Sequence, residues 1–154
     1  MKIRMTALAV VVMCFIGWSF AAENPNMGTW KLNEAKSKLS PGAPKNSTVV
    51  YEAAGDNVKC TIDGTDGQGK PTHIVWTGKF DGKDYPLTGD SNADMRSYKL
   101  INDRTTEGIT KKGGKVTTTT RIELAADGKS RTVTSDATDP SGKKAHIVTV
   151  YDKQ

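Results

Sequence analysis

The chain has 154 residues, of which 36% are hydrophobic, and its 22 basic and 17 acidic residues give a formal net charge of +5. This length provides for one domain with a single core. Because Lys and Arg are interleaved with Asp and Glu throughout, the charge pattern argues against the clustered basic surface of a nucleic-acid-binding protein.

The first 21 residues are typical of a secretory signal peptide. Lys2 and Arg4 give a basic start, residues 7–17 form an apolar core, and residues 19–21 (Ser-Phe-Ala) place small residues where signal peptidase reads them. The apolar run is shorter than the ~20 residues of a membrane-spanning helix. We therefore predict an exported protein, periplasmic or secreted, without a membrane span, whose mature domain comprises residues 22–154.

Cleavage at this position lowers the net charge to +3 and leaves Cys60 as the only cysteine. An internal disulfide is then impossible, although the destination is oxidising. We interpret Cys60 as a small buried apolar residue.

The mature chain begins with an extended segment, residues 28–32 (Gly-Thr-Trp-Lys-Leu). Trp30 behind Gly28 is placed to close one end of a β-barrel with its indole. Asn33 can then cap one or two helical turns before Ser40-Pro41-Gly42 ends them. At most one short helix is predicted, after the first strand.

From Ser47 onward the chain shows short alternating strands separated by Gly/Asp/Lys turns, the pattern of an antiparallel meander. The predicted strands are residues 47–53, 58–63, 72–80, 83–86, 95–101, 105–111, 115–124, 131–136 and 145–152. The last strand ends close to the C-terminus and can pair with the first. Closure removes two aggregation-prone edges, so we predict an all-β, antiparallel up-and-down β-barrel of about 8–10 strands.

The sequence also repeats itself. Residues 65–75 return at 138–148 with seven of eleven positions identical. This predicts two copies of one module, each made of strand, glycine turn, strand, loop and strand. The repeat makes His73 and His146 equivalent, and we interpret both as surface residues.

Alternation along the strands predicts which side chains face inward. These are Val58, Cys60, Ile62, Ile74, Trp76, Phe80, Tyr98, Leu100, Val116, Ile122 and Leu124. Apolar residues are few, so the interior must be partly polar. Such a lumen suits either an amphipathic ligand or a small, tightly filled barrel.

Three segments resemble the calycin superfamily, the lipocalins and intracellular fatty-acid-binding proteins. Residues 28–32 resemble the Gly-x-Trp opening of both groups, and residues 150–153 (Val-Tyr-Asp-Lys) resemble the Val-Tyr-Glu-Lys ending of the fatty-acid binders. Residues 117–121 resemble the strand that carries an internal, carboxylate-reading arginine in those proteins. The whole chain is also similar to a group of small exported bacterial proteins without an assigned function.

The resemblance implies that Arg121 and Tyr151 are ligand contacts. Thr149 stands where the fatty-acid binders have a second arginine, and the segment after the first strand is too short for their helical lid. Alternation adds an alternative, because Arg121 faces outward if Ile122 faces inward. Arg121 would then stack on Trp30 at the barrel end, as the lipocalin arginine does.

These observations predict an exported, lipocalin-like barrel that binds a small amphipathic or apolar ligand, acts as a monomer and has a lumen above ~300 Å³. The predicted ligand contacts are Trp76, Tyr98, Arg121 and Tyr151. The alternative is a non-enzymatic interaction module with a filled barrel, such as an inhibitor or an envelope assembly factor. No set of acid, base and nucleophile and no metal-ligand spacing is visible, so we predict no enzyme, no cofactor and no metal.

Overall fold

The computed structural model describes residues 24–40, 42–139 and 141–154, so the predicted signal peptide lies outside the described residues. Ten antiparallel strands form a closed barrel in the order β1-β10-β9-β8-β7-β6-β5-β4-β3-β2, which confirms the predicted fold class. The strands are β1 Gly28–Leu32, β2 Lys45–Ala54, β3 Asn57–Thr65, β4 Pro71–Gly78, β5 Tyr85–Thr88, β6 Met95–Leu100, β7 Thr105–Lys112, β8 Lys115–Leu124, β9 Ser130–Thr138 and β10 Lys144–Lys153.

The terminal strands close the barrel as predicted. β1 pairs with β10 on one side, where Leu32 lies opposite Tyr151, and with β2 on the other, where Trp30 lies opposite Val49. The predicted short helix is a single 3₁₀ turn, Glu34–Lys36, and the Asn33 side chain caps it by accepting a hydrogen bond from the backbone N–H of Lys36.

The sequence repeat corresponds to two hairpins of the same geometry, β3–β4 and β9–β10. Asp63 pairs in register with His73, and Asp136 pairs with His146. The Nδ1···Oδ1 distances are 2.6 Å and 2.7 Å, and both histidine side chains are more than 60% exposed. The repeated segments therefore occupy equivalent positions in two hairpins, and both histidines lie on the surface.

Trp30 and the segment before β1 close one end of the barrel. Trp30 is fully buried, and its Nε1 donates a 2.7 Å hydrogen bond to the carbonyl oxygen of Asn26. Asn26 is also buried and donates from Nδ2 to Thr106 Oγ1 across the barrel, at 2.8 Å. Gly28 has a φ of +102°, a left-handed conformation that favours glycine. This backbone turn leads the chain from beneath the barrel into β1.

Aromatic side chains fill the barrel on the β4–β6 side. The Trp76 ring lies 5.0 Å from the Tyr98 ring and 5.9 Å from that of Phe80, in edge-on contacts. Phe80 stacks on Tyr98 at 5.2 Å. Such pairs contribute about 0.5–1.5 kcal/mol beyond their area burial. The close contacts between these rings make this side of the interior a packed core.

Two predicted inward-facing residues are exposed. Val116 is 46% and Leu100 is 38% exposed. The register of β7 with β8 shifts after Thr110, which leaves Thr117 as an extra residue and breaks the alternation before Val116 is reached. Leu100 is the last residue of β6, beyond the packed part of the barrel.

A second register shift lies between Asn46 and Thr48 on β2, opposite Gly64. A Cβ atom on Gly64 would lie 1.9 Å from the backbone oxygen of Lys45. We expect Gly64→Ala to lower the free energy of unfolding by about 1–3 kcal/mol, because two backbones must move apart. Gly67→Ala is the control, since its added carbon would lie 3.2 Å from its nearest neighbour. Urea unfolding that gives both variants the same stability would contradict this prediction.

Candidate functional site

The barrel interior contains a cavity of about 80 Å³ beside the aromatic cluster, and Tyr98 belongs to both. The polar residues that line it are Asn46, Arg96, Arg131, Tyr51, Tyr98, Tyr151, Thr110, Thr120 and Ser135. Asn46 is exposed to solvent, so the cavity comes closest to the surface there. The prediction of a lumen above ~300 Å³ is wrong, because large aromatic side chains occupy much of the interior.

Arg131 on β9 is the most buried charged residue of this lining, at 2% exposure. Its guanidinium lies 4.6 Å from the ring centre of Trp30 and 5.2 Å from those of Tyr51 and Tyr151. Desolvated cation–π contacts contribute about 2 kcal/mol. The Nε and Nη1 atoms are buried without a hydrogen-bond partner in the described part of the chain. Aromatic faces therefore hold Arg131 in place and leave two donors unpaired.

Arg96 on β6 is partly buried and lines the same cavity. Its Nε donates to Thr110 Oγ1 at 3.1 Å, and its backbone carbonyl accepts a 2.8 Å hydrogen bond from Trp76 Nε1. Burial acts to lower the pKa of Arg96, but Tyr98, Cys60 and Tyr51 outweigh it and raise the pKa above its ordinary value. The guanidinium is charged at all relevant pH values.

Tyr51 and Tyr151 beside the cavity are neutral hydrogen-bonding groups. Burial is the largest cause that raises the pKa of Tyr51 and of Tyr151. Their hydroxyl groups therefore keep their protons at neutral pH and can donate to an oxygen atom in the cavity. Thr120 Oγ1 and Ser135 Oγ lie 3.1 Å apart on the β8–β9 wall and add further hydroxyl groups.

The charges of this site are not balanced within the protein. None of the lining residues is Asp or Glu, and neither arginine takes part in an ion pair among the described residues. Removing a charged group from water costs several kcal/mol unless a partner of opposite charge compensates. The chemistry that this arrangement offers is the binding of a negatively charged or strongly hydrogen-bond-accepting group.

Two of the four predicted ligand contacts line the cavity, and a third packs against one of them. Tyr98 and Tyr151 line the cavity, and both are buried. Trp76 is fully buried one layer behind them, within the aromatic cluster.

Arg121 lies at neither of its two predicted positions. Its side chain is 48% exposed on the outside of β8, where Nη1 and Nε lie 3.2 Å from carboxylate oxygens of Glu107 and Glu123 respectively. The cause is alternation, because the neighbouring Ile122 is buried and faces inward. The arginine that stacks on Trp30 is Arg131 instead.

Sequence reasoning missed Arg96 and Arg131, although period-two alternation points to both. Arg96 lies two residues before the inward-facing Tyr98, and Arg131 lies two residues before Val133, which also lines the cavity. Arginine is rarely fully buried without a partner, so residue type alone does not indicate that these two side chains face inward.

Within the described residues, no group of three or more His, Cys, Asp or Glu side chains could hold a metal ion. The same part of the chain contains no helix long and apolar enough to cross a membrane.

Cys60 is fully buried beside the cavity wall, and burial raises the pKa of its thiol from 9.0 to about 11. A rise of two pKa units lowers the thiolate fraction at pH 8 roughly hundredfold. In protein that lacks residues 1–21, we expect Cys60 to react with a disulfide reagent at least a hundred times more slowly in the native state than in guanidinium chloride. Equal rates in the two states would show that the thiol is accessible.

No protein-family model and no curated protein matches this chain. Among solved structures, the chain is similar to that of EF1p2_mFAP2b bound to DFHBI, with a TM-score of 0.47 and 7% sequence identity over 84% of this chain and 94% of the other. The function of the present protein has to be inferred from its own residues.

Proposed function

We propose that this protein is a binding protein that holds a small polar molecule inside its barrel. The observation that carries this proposal is the polar cavity of about 80 Å³, whose wall contains the unpaired buried donors of Arg131. Buried polar groups in folded proteins almost always have hydrogen-bond partners. A ligand with oxygen acceptors would supply these partners.

The size of the cavity limits the ligand. Pockets for drug-sized molecules measure about 300–1,000 Å³, several times the volume found here. A longer chain would have to displace side chains of the cavity wall, among them Tyr98, whose ring is stacked on Phe80. We therefore propose a compact, polar ligand instead of the amphipathic or apolar ligand that the sequence predicted.

We propose no reaction at this site. The buried nucleophile near the cavity, Cys60, is held protonated because its pKa is raised to about 11. A thiol without its thiolate is a weak nucleophile, and the cavity lining contains neither a carboxylate nor a histidine to act as a general base.

We also propose that the protein meets its ligand outside the cytoplasm, on the basis of residues 1–21. This proposal, and the kinship with calycins and with the exported bacterial group, rest on the sequence motifs alone. Mass spectrometry of the protein from its host should give a chain that starts at Ala22. A full-length chain would contradict export.

Native mass spectrometry together with thermal unfolding in a panel of small molecules tests ligand binding. We expect a low-mass adduct, or a rise in the melting temperature with compact polar compounds and none with long-chain fatty acids. Ligand binding stabilises a protein by about 2.7 kcal/mol at a hundred times the dissociation constant, which is readily measured. The absence of any adduct and of any shift would contradict the proposal.

A second candidate, an interaction module with a filled barrel, is favoured by two features. The aromatic cluster fills one side of the interior, and Leu100 and Ile101 at the end of β6 are 38% and 43% exposed. If this candidate is correct, a stoichiometric partner should co-purify from the host and be lost with Leu100→Ser and Ile101→Ser together. A partner that binds wild type and variant equally would contradict it.

A further inference from the structure

We propose that the ligand is a compact oxyanion, of the phosphate, sulfate or short-carboxylate class, bound between Arg96 and Arg131. This inference rests on the proposed function, the binding of a small polar molecule inside the barrel, and gives that molecule a charge and a size.

The cavity wall carries two positive charges and no negative charge. Arg96 and Arg131 line the same cavity, and no residue of its wall is acidic. Two like charges that share a site of low dielectric repel each other, and each has also lost hydration. The cation–π contacts of Arg131 reduce this cost but do not add a negative charge. An anion in the cavity compensates both guanidinium groups at once.

The cavity wall also offers several hydrogen-bond donors. Arg131 offers Nε and Nη1, which have no partner among the described residues. Tyr51 and Tyr151, whose hydroxyl groups keep their protons, line the same space. Charge-assisted hydrogen bonds from a planar guanidinium are the strongest contacts that proteins make to oxyanions. Several donors that converge on one small volume suit a group with several acceptor oxygen atoms.

A purely structural role does not account for both arginines. Stacking on Trp30 explains why Arg131 is buried at the closed end of the barrel. It does not explain Arg96, whose hydrogen bonds within the site are made to Thr110 and, weakly at 3.5 Å, to Tyr98. Neither arginine stands at the positions that the calycin resemblance identified, Arg121 and Thr149. The site therefore comes from the geometry of this barrel.

Isothermal titration of inorganic phosphate and of acetate, in buffer of low chloride concentration, tests the proposal. We expect saturable binding of at least one anion. The anion with the higher affinity indicates whether the ligand carries a phosphoryl-like or a carboxylate group. Arg96→Gln and Arg131→Lys should each weaken binding at least tenfold. Lysine keeps the positive charge but loses the planar set of donors. Thermal unfolding of each variant establishes that it is folded.

Arg121→Gln is the matched control, because it removes one positive charge from the outer surface of the barrel. The affinity of this variant for the anion should stay within twofold of that of the wild type. Equal loss in all three variants would show a non-specific charge effect and overturn the inference. A neutral adduct that binds without competition from either anion would overturn it too, and would leave the proposed function standing. The absence of both an adduct and anion binding would contradict the proposed function itself.

Discussion

Trp30→Ala is expected to lower the free energy of unfolding by about 3–5 kcal/mol. The indole is fully buried, donates to the carbonyl of Asn26 and provides the nearest aromatic face to Arg131. Removing it leaves a cavity at the closed end and a buried guanidinium with less compensation. Since domains of this kind are stable by only about 5–15 kcal/mol, much of the stability should be lost. Guanidinium unfolding, followed by circular dichroism, measures the change.

Two control variants separate the contributions of the indole. Trp30→Phe keeps an aromatic face for Arg131 but leaves the Asn26 carbonyl unpaired, which costs about 1–3 kcal/mol. Leu32→Ala, at a partly buried position of the same strand, should cost less than Trp30→Ala. If Trp30→Ala is as stable as Leu32→Ala, the indole does not stabilise the closed end of the barrel.

Thr110→Asp is expected to supply the negative charge that the cavity lacks. Thr110 Oγ1 accepts a 3.1 Å hydrogen bond from Arg96 Nε, and the residue is 6% exposed. A carboxylate at this position would form an internal ion pair with Arg96. Hydrogen bonds to charged groups contribute about 1.5–3 kcal/mol. In buffer without phosphate, the variant should be more stable than Thr110→Asn by about this amount.

The comparison with Thr110→Asn removes the effect of size, because the two side chains have nearly the same shape. Thr110→Asp should no longer be stabilised by phosphate, since its own carboxylate takes the place of the anion. Thr110→Asn should keep a phosphate response, weakened by a few fold at most. Thermal unfolding with and without phosphate measures both effects. A less stable Thr110→Asp with an intact phosphate response would contradict the proposed charge balance.

The fold was predictable from the sequence because local pattern and turn chemistry agree along the chain. β1 and β8 begin and end at the predicted residues, and the pairing of β1 with β10 follows from the need to remove sheet edges. The pattern failed at Val116 because one extra residue in β8 interrupts the alternation. The sequence of a threonine-rich strand does not indicate where such a bulge lies.

The candidate site was harder to predict than the barrel. Alternation carries the information that Arg96 and Arg131 face inward, but the free-energy cost of burying a charge argues the other way. That cost is offset in part by Trp30, Tyr51 and Tyr151, which meet around Arg131 only in three dimensions. The volume of the cavity depends on how Tyr98 and Phe80 stack, which no strand pattern specifies.

Crystals grown with selenate, and an anomalous difference map at the selenium edge, test the oxyanion site most directly. The account predicts a peak inside the barrel, within hydrogen-bonding distance of Arg131 Nε and Nη1 and facing Arg96. A barrel that contains only water between these two arginines, at selenate concentrations that saturate binding in solution, would contradict it.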